Sequence, residues 1–118
     1  MPKELRVAGA IALAFHDLLE DTTADLPADT SKRVRALVEG MTFRGGSAEE
    51  MEMVWERGTE ILLLKLYDKV SNLLDGQWMD LAKAAAYKAY TLKLADVVQK
   101  EYGPLAIIKI AQAVCADN

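Results

Sequence analysis

The feature that most constrains the fold is the apolar stretch ILLLKLYDKVSNLL at residues 61–74. Residues 62–66 alone are compatible with a buried strand, but Val70, Leu73 and Leu74 continue the apolar positions at helical spacing. The sequence contains no Asn-Gly hairpin and no sustained alternation of apolar and polar residues, which are the usual signals of antiparallel strands. We therefore predict an all-α protein.

Signals for helix ends divide the chain into about five or six helices. Asp29 or Thr30 is the expected N-cap of the second helix and Gly40 its C-terminal stop. Ser47 followed by Glu50 has the form of a capping box at the start of the third. The predicted helices cover residues 5–19, 30–39, 47–57, 60–74, 78–102 and 105–113. We expect them to form one compact helical bundle, a single domain over residues 1–118.

Composition narrows the class of protein. Apolar residues make up 52 % of the 118 residues and aromatic residues only 7 %, a balance that favours helices. The one cysteine, Cys115, excludes a disulfide framework and favours a reducing compartment. The net charge of −4 and the lack of a basic cluster argue against a nucleic-acid partner. No stretch approaches the roughly 20 apolar residues of a membrane span. We predict a cytoplasmic protein without a membrane partner.

The stretch FHDLLEDT at residues 15–22 places the only histidine and three acids at the end of an apolar helix. Glu20 follows His16 by four residues and Asp21 follows Asp17 by four, so each pair shares a helix face. The adjacent side chains of His16 and Asp17 can coordinate one metal ion that lies between them, off the helix surface. The alternative is a solvated acidic helix end, although acids are mildly unfavourable near a helix C-terminus.

A second polar interruption is Asp68, within the apolar stretch at residues 61–74. Asn72 lies four residues later on the same face, and Lys65 lies three residues earlier. A surface ion pair between Lys65 and Asp68 explains the carboxylate without any chemistry. Together with His16 and Asp17, however, Asp68 can supply nitrogen and oxygen ligands to one divalent ion. Such mixed ligation suits manganese, iron or zinc better than calcium.

These stretches together resemble the HD-domain phosphohydrolases, in the branch of the RelA/SpoT-type alarmone hydrolases and their small stand-alone relatives. HDLLEDT looks like the family signature, and LKLYDKVSNL resembles the family's KLADRxxN motif. Residues 34–42, VRALVEGMT, and residues 102–106, YGPLA, resemble two further family segments in the same order. The resemblance covers roughly residues 5–115.

The resemblance implies specific roles for the polar residues. His16, Asp17 and Asp68 would bind a divalent metal, usually Mn²⁺ in this branch. Glu20 and Asp21 would orient or deprotonate the attacking water. The nucleotide substrate would meet Asn72, which contacts the ribose in the family, and Lys65. The implied reaction is hydrolysis of a nucleotide phosphate or pyrophosphate ester, such as the 3′-pyrophosphate of guanosine tetraphosphate (ppGpp), and some stand-alone members are linked to NADPH.

The sequence departs from the family at one metal ligand. The family carries another metal-binding His on an earlier helix, whereas His16 is the only His here and fifteen residues precede it. Relative to the family the domain is therefore expected to be N-terminally short. Missing N-terminal helices would expose an apolar surface and favour a homo-oligomer. The alternatives are a catalytically impaired HD domain that binds a nucleotide or a protein, and a helical interaction module whose acids have no chemical role.

Overall fold

The structure is a computed structural model that describes residues 2–21, 30–43, 45–74 and 80–116; side chains at positions 4, 14–21 and 47 are not described. These residues form six α-helices and two short 3-10 helices, and no strand occurs among them. The all-α prediction is confirmed. The α-helices are α1 (Arg6–Asp21), α2 (Lys32–Met41), α3 (Ser47–Met53), α4 (Thr59–Leu74), α5 (Leu81–Tyr102) and α6 (Ala106–Ala116).

The chain divides into two compact units, Met1–Leu64 and Lys65–Asn118. The first unit contains α1, α2, α3 and the beginning of α4, and α1 packs against α2. The second contains the rest of α4 with α5 and α6, and α5 packs against α6. The expectation of a single domain stays a prediction, and each unit is described by itself.

The core of the first unit follows the helical spacing of its apolar residues. From α2 it receives Val34, Leu37, Val38 and Met41, all buried. The cap of this helix is Ser31, whose side-chain oxygen accepts a hydrogen bond from the Val34 backbone N–H at 3.1 Å. The predicted N-cap at Asp29 or Thr30 is therefore wrong by one or two residues.

Gly40 does not stop α2, contrary to the prediction, because the helix continues to Met41. A Cβ atom at Gly40 would lie 2.5 Å from Cδ1 of Ile61 and 2.8 Å from its Cγ1, so the glycine permits a close approach of α2 and the start of α4. The end of α2 is instead capped by Arg57, whose Nη1 donates to the backbone carbonyls of Gly40 at 3.0 Å and Glu39 at 3.3 Å. The Arg57 guanidinium also lies over the Phe43 ring, 4.3 Å from its centroid.

The third and fifth helices are shorter than the sequence predicts. Ser47 is the first helical residue of α3 and Gly46, with φ of 83°, is its cap. This helix ends at Met53 and a 3-10 turn follows, Val54–Glu56. Asp80 caps α5 by accepting a hydrogen bond from the Lys83 backbone N–H at 2.7 Å. The helix therefore begins at Leu81, three residues after the predicted start; residue 78 lies outside the described residues.

Candidate functional site

A cluster of buried and half-buried polar side chains connects α4 and α5 within the second unit. We call it the α4–α5 polar cluster, and its members are Lys65, Asp68, Lys69, Asn72 and Tyr87. Asp68 Oδ2 lies 3.7 Å from Lys65 Nζ and 3.1 Å from Lys69 Nζ. The three charged side chains are almost completely enclosed, with exposed fractions of 10 % for Asp68, 1 % for Lys65 and 8 % for Lys69. This enclosure makes the cluster the most unusual polar feature among the described residues.

The spacing of the α4 residues explains why the cluster forms. Residues 65, 68, 69 and 72 recur at intervals of three and four, so they share one helix face. Their neighbours Leu64, Leu66 and Val70 are buried as well, so this part of the helix is enclosed on more than one face. The ion pair between Lys65 and Asp68 that the sequence suggested therefore exists, but it is buried and not on the surface. Burying such charges is costly unless partners compensate for the lost water.

The amide of Asn72 joins the cluster to α5. Its Nδ2 donates a hydrogen bond to the Tyr87 hydroxyl oxygen at 2.7 Å. Lys69 Nζ lies 5.1 Å from the centroid of the same ring. Burial raises the pKa of the Tyr87 phenol, and this effect outweighs the opposite influence of Lys69 and of the hydrogen bonds from Asn72 and Lys69. Tyr87 is therefore a protonated phenol at neutral pH.

Sequence reasoning anticipated only part of this cluster. It singled out Lys65, Asp68 and Asn72, and the structure brings these three together. It missed Lys69, although the residue follows Lys65 by four positions, which was the available signal. It also missed Tyr87, because no pattern within one helix specifies which residue of another helix it will contact.

The remaining predicted site residues belong to the first unit. His16, Asp17, Glu20 and Asp21 lie in the last two turns of α1, and their side chains are outside the described residues. The described side chains include no group of three or more His, Cys, Asp or Glu residues that could hold a metal ion. The ligand set of His16, Asp17 and Asp68 therefore stays a prediction.

The chemistry of Asp68 bears directly on metal binding. A carboxylate oxygen is a suitable ligand for Mn²⁺, but Oδ2 of Asp68 is already held by two ammonium groups. A metal ion and the two lysines would compete for the lone pairs of Oδ2, because all three are cations. Metal binding through Oδ2 would therefore require a shift of Lys69, the closer of the two.

A groove of about 440 Å³ lies in the first unit. Arg33 on its wall donates to both carboxylate oxygens of Glu60, at 2.7 Å to Oε1 and more closely to Oε2. The hydrogen bond from Arg33 holds the pKa of Glu60 below its ordinary value. The other arginine on the wall, Arg57, caps α2. Since both guanidinium groups serve the structure, the groove is explained by helix packing.

Two further observations concern the function classes that the sequence disfavours. Burial raises the pKa of the Cys115 thiol, which lowers the fraction of thiolate that a cysteine nucleophile needs. Among the helices that the structure describes, none combines the length and the apolar character that crossing a bilayer requires.

Comparison with known proteins adds no relative. No family model, no curated protein and no solved structure matches this chain. The assignment to the HD-domain phosphohydrolases therefore rests on the sequence resemblance, and the function that follows from it is a proposal.

Proposed function

We propose that this chain is a metal-dependent phosphohydrolase of the HD-domain type that acts on a nucleotide phosphate or pyrophosphate ester similar to guanosine tetraphosphate. One observation carries the proposal. The helix α4, which is otherwise largely apolar, encloses the ion pair of Lys65 and Asp68 and carries the half-buried Asn72 on the same face. These are the positions at which the resemblance expects the metal and the nucleotide. A fold gains little stability from burying such groups, so a chemical role accounts for them.

The proposed roles follow the chemistry of each side chain. One imidazole and two carboxylates, from His16, Asp17 and Asp68, form a donor set that suits Mn²⁺. A bound metal would lower the pKa of its water and offset negative charge on the phosphoryl group. Glu20 and Asp21 would orient and deprotonate the attacking water, and the ribose would meet Asn72.

Calorimetric titration of the metal-free chain with Mn²⁺ tests the metal site. We expect about one ion per chain, because a single set of three ligands is proposed. The substitution Asp68→Asn should abolish binding while it keeps the shape of the side chain. Asp96→Asn is the matched control, since Asp96 pairs with Lys100 at 3.2 Å on the exposed side of α5. Absence of binding by the unmodified chain, or equal binding by Asp68→Asn, would contradict the metal site.

Hydrolysis is tested with guanosine tetraphosphate, NADPH and simple nucleotides in the presence of Mn²⁺. We expect release of phosphate or pyrophosphate from one of them. Glu20→Gln should leave Mn²⁺ binding intact and remove hydrolysis, because the amide cannot accept a proton from water. Equal turnover by Glu20→Gln would show that the proposed role of Glu20 is wrong.

The second candidate is a catalytically impaired HD domain that binds a nucleotide or a protein. It is favoured by the contacts of Asp68, whose Oδ2 forms ion pairs with Lys65 and Lys69.

This second candidate predicts that the chain binds a nucleotide equally well with and without a metal chelator, and that it does not hydrolyse the nucleotide. Lys69→Met separates the two candidates. If the ammonium competes with a metal, this variant should bind Mn²⁺ more tightly than the unmodified chain; if Asp68 serves only the ion pairs, Mn²⁺ binding should be absent from both.

The cytoplasmic location and the homo-oligomer that the sequence predicts are parts of the same proposal. Light scattering after size-exclusion chromatography measures the oligomeric state directly. A mass equal to one chain at micromolar concentration would contradict the homo-oligomer.

A further inference from the structure

We infer that Tyr87 is a positioning residue that fixes the orientation of the Asn72 side-chain amide. The hydrogen bond from Asn72 Nδ2 to the Tyr87 oxygen spans 2.7 Å and joins α4 to α5. Tyr87 itself is buried, with 4 % of its surface exposed, whereas Asn72 is only partly buried. The phenol is therefore placed to act through Asn72 and not directly on a ligand.

The orientation matters because the two ends of an amide have opposite hydrogen-bonding properties. The NH₂ end donates and the carbonyl oxygen accepts. With Nδ2 directed to the Tyr87 oxygen, the amide keeps Oδ1 as the atom it can offer to a ligand. Lys69 Nζ lies 5.1 Å from the centroid of the Tyr87 ring, so the phenol has an ammonium group beside it as well as the amide of Asn72.

The consequence is a preference for one class of ligand group. An acceptor such as Oδ1 recognises a hydroxyl or an N–H and gains nothing from a ligand that lacks the donor. On the proposed function, on which this part of the inference rests, the donor is a ribose hydroxyl. Tyr87 would therefore contribute to discrimination between a ribonucleotide and its 2′-deoxy counterpart without contacting either.

The positioning itself is tested without any nucleotide. In an NMR spectrum of the ¹⁵N-labelled chain, the Asn72 side-chain protons should exchange slowly with water. Tyr87→Phe removes the acceptor, and exchange should rise about tenfold, as expected from the loss of one hydrogen bond. Tyr102→Phe is the matched control at the other end of α5 and should leave this exchange unchanged. Unaltered Asn72 exchange in Tyr87→Phe would overturn the inference.

The specificity is tested by calorimetric binding of guanosine tetraphosphate and its 2′-deoxy analogue. We expect the unmodified chain and Tyr102→Phe to prefer the ribonucleotide about fivefold, and Tyr87→Phe to lose most of this preference. A preference that survives in Tyr87→Phe would overturn the role in specificity. If the unmodified chain binds neither compound, the proposed function and the ribose preference both fail, while the exchange measurement still decides whether Tyr87 positions Asn72.

Discussion

At the scale of single residues, the most consequential feature is a carboxylate enclosed between two lysines. Removing Asp68 leaves the buried ammonium groups of Lys65 and Lys69 without this counter-charge. Asp68→Ala is therefore expected to lower the free energy of unfolding by about 3 kcal/mol, the usual cost of breaking a buried ion pair. Urea denaturation followed by circular dichroism measures this change.

A combined substitution of all three charged residues separates the lost charge from the lost packing. Replacing Asp68 by Leu and both Lys65 and Lys69 by Met removes all three charges and fills the space with apolar atoms. Apolar replacement of a whole buried set of charges is often nearly neutral, so this combined variant should be more stable than Asp68→Ala. A combined variant that is less stable would show that the ion pairs contribute little to the cost, and the exposed pair variant Asp96→Ala should change stability by less than about 0.5 kcal/mol.

Glu60 provides a prediction for pH dependence. Its folded pKa is lowered by Arg33, so the ionised form is the one that the fold favours. The resulting stabilisation is present above the ordinary pKa of 4.5 and is lost as the pH falls through the lowered folded value. Glu60→Gln should therefore be less stable than the unmodified chain at pH 7, by less than about 1 kcal/mol because the pair is exposed. In urea titrations the difference between the two stabilities should shrink as the pH falls below 4.5; a difference that does not change with pH would contradict this assignment.

At the scale of helices, the sequence predicts the presence of each helix more accurately than the residues at which the helix begins and ends. Ser31 and Asp80 cap α2 and α5, while neighbouring polar residues such as Asp29 and Thr30 offer the same local signal. Tertiary packing fixes the position of the helix, and this position decides which of the neighbouring polar residues becomes the N-cap. Gly40 shows the same limit, because a glycine near a helix end is typical of a stop and here serves a close contact with Ile61.

The contact at Gly40 leads to a prediction about helix packing. In Gly40→Ala the new methyl group would meet Ile61 at less than 3 Å. We expect a net loss of about 1 kcal/mol, because overpacking of about 1–3 kcal/mol outweighs a gain of about 1 kcal/mol in helix propensity. In the Ile61→Ala background the same substitution should instead stabilise the fold, since both contacting atoms are gone. Thermal or urea denaturation of the unmodified chain, the two single variants and the double variant measures the coupling, and additive effects would contradict a direct contact.

At the scale of the whole molecule, the sequence predicts the fold class but only part of the candidate site. The spacing of apolar residues was sufficient for an all-α protein, because each helix repeats it over several turns. Lys65, Asp68 and Asn72 are predictable because their spacing within one helix places them on one face, and Lys69 carries the same signal although the prediction omits it. Tyr87 is not predictable in this way, since its contact with Asn72 depends on how two helices pack.

Because Lys65 is enclosed, its rate of chemical modification can report local unfolding of the surrounding structure. An amine-acylating reagent attacks only the uncharged amine that it can reach, so Lys100, 74 % exposed, should be modified quickly. Lys65, whose side chain is 1 % exposed, should be acylated only when its surroundings transiently unfold. Peptide mass spectrometry over time would compare the two lysines, and the rate at Lys65 should rise steeply with urea. The acylation rate at Lys65 thus measures how often the α4–α5 polar cluster opens to water.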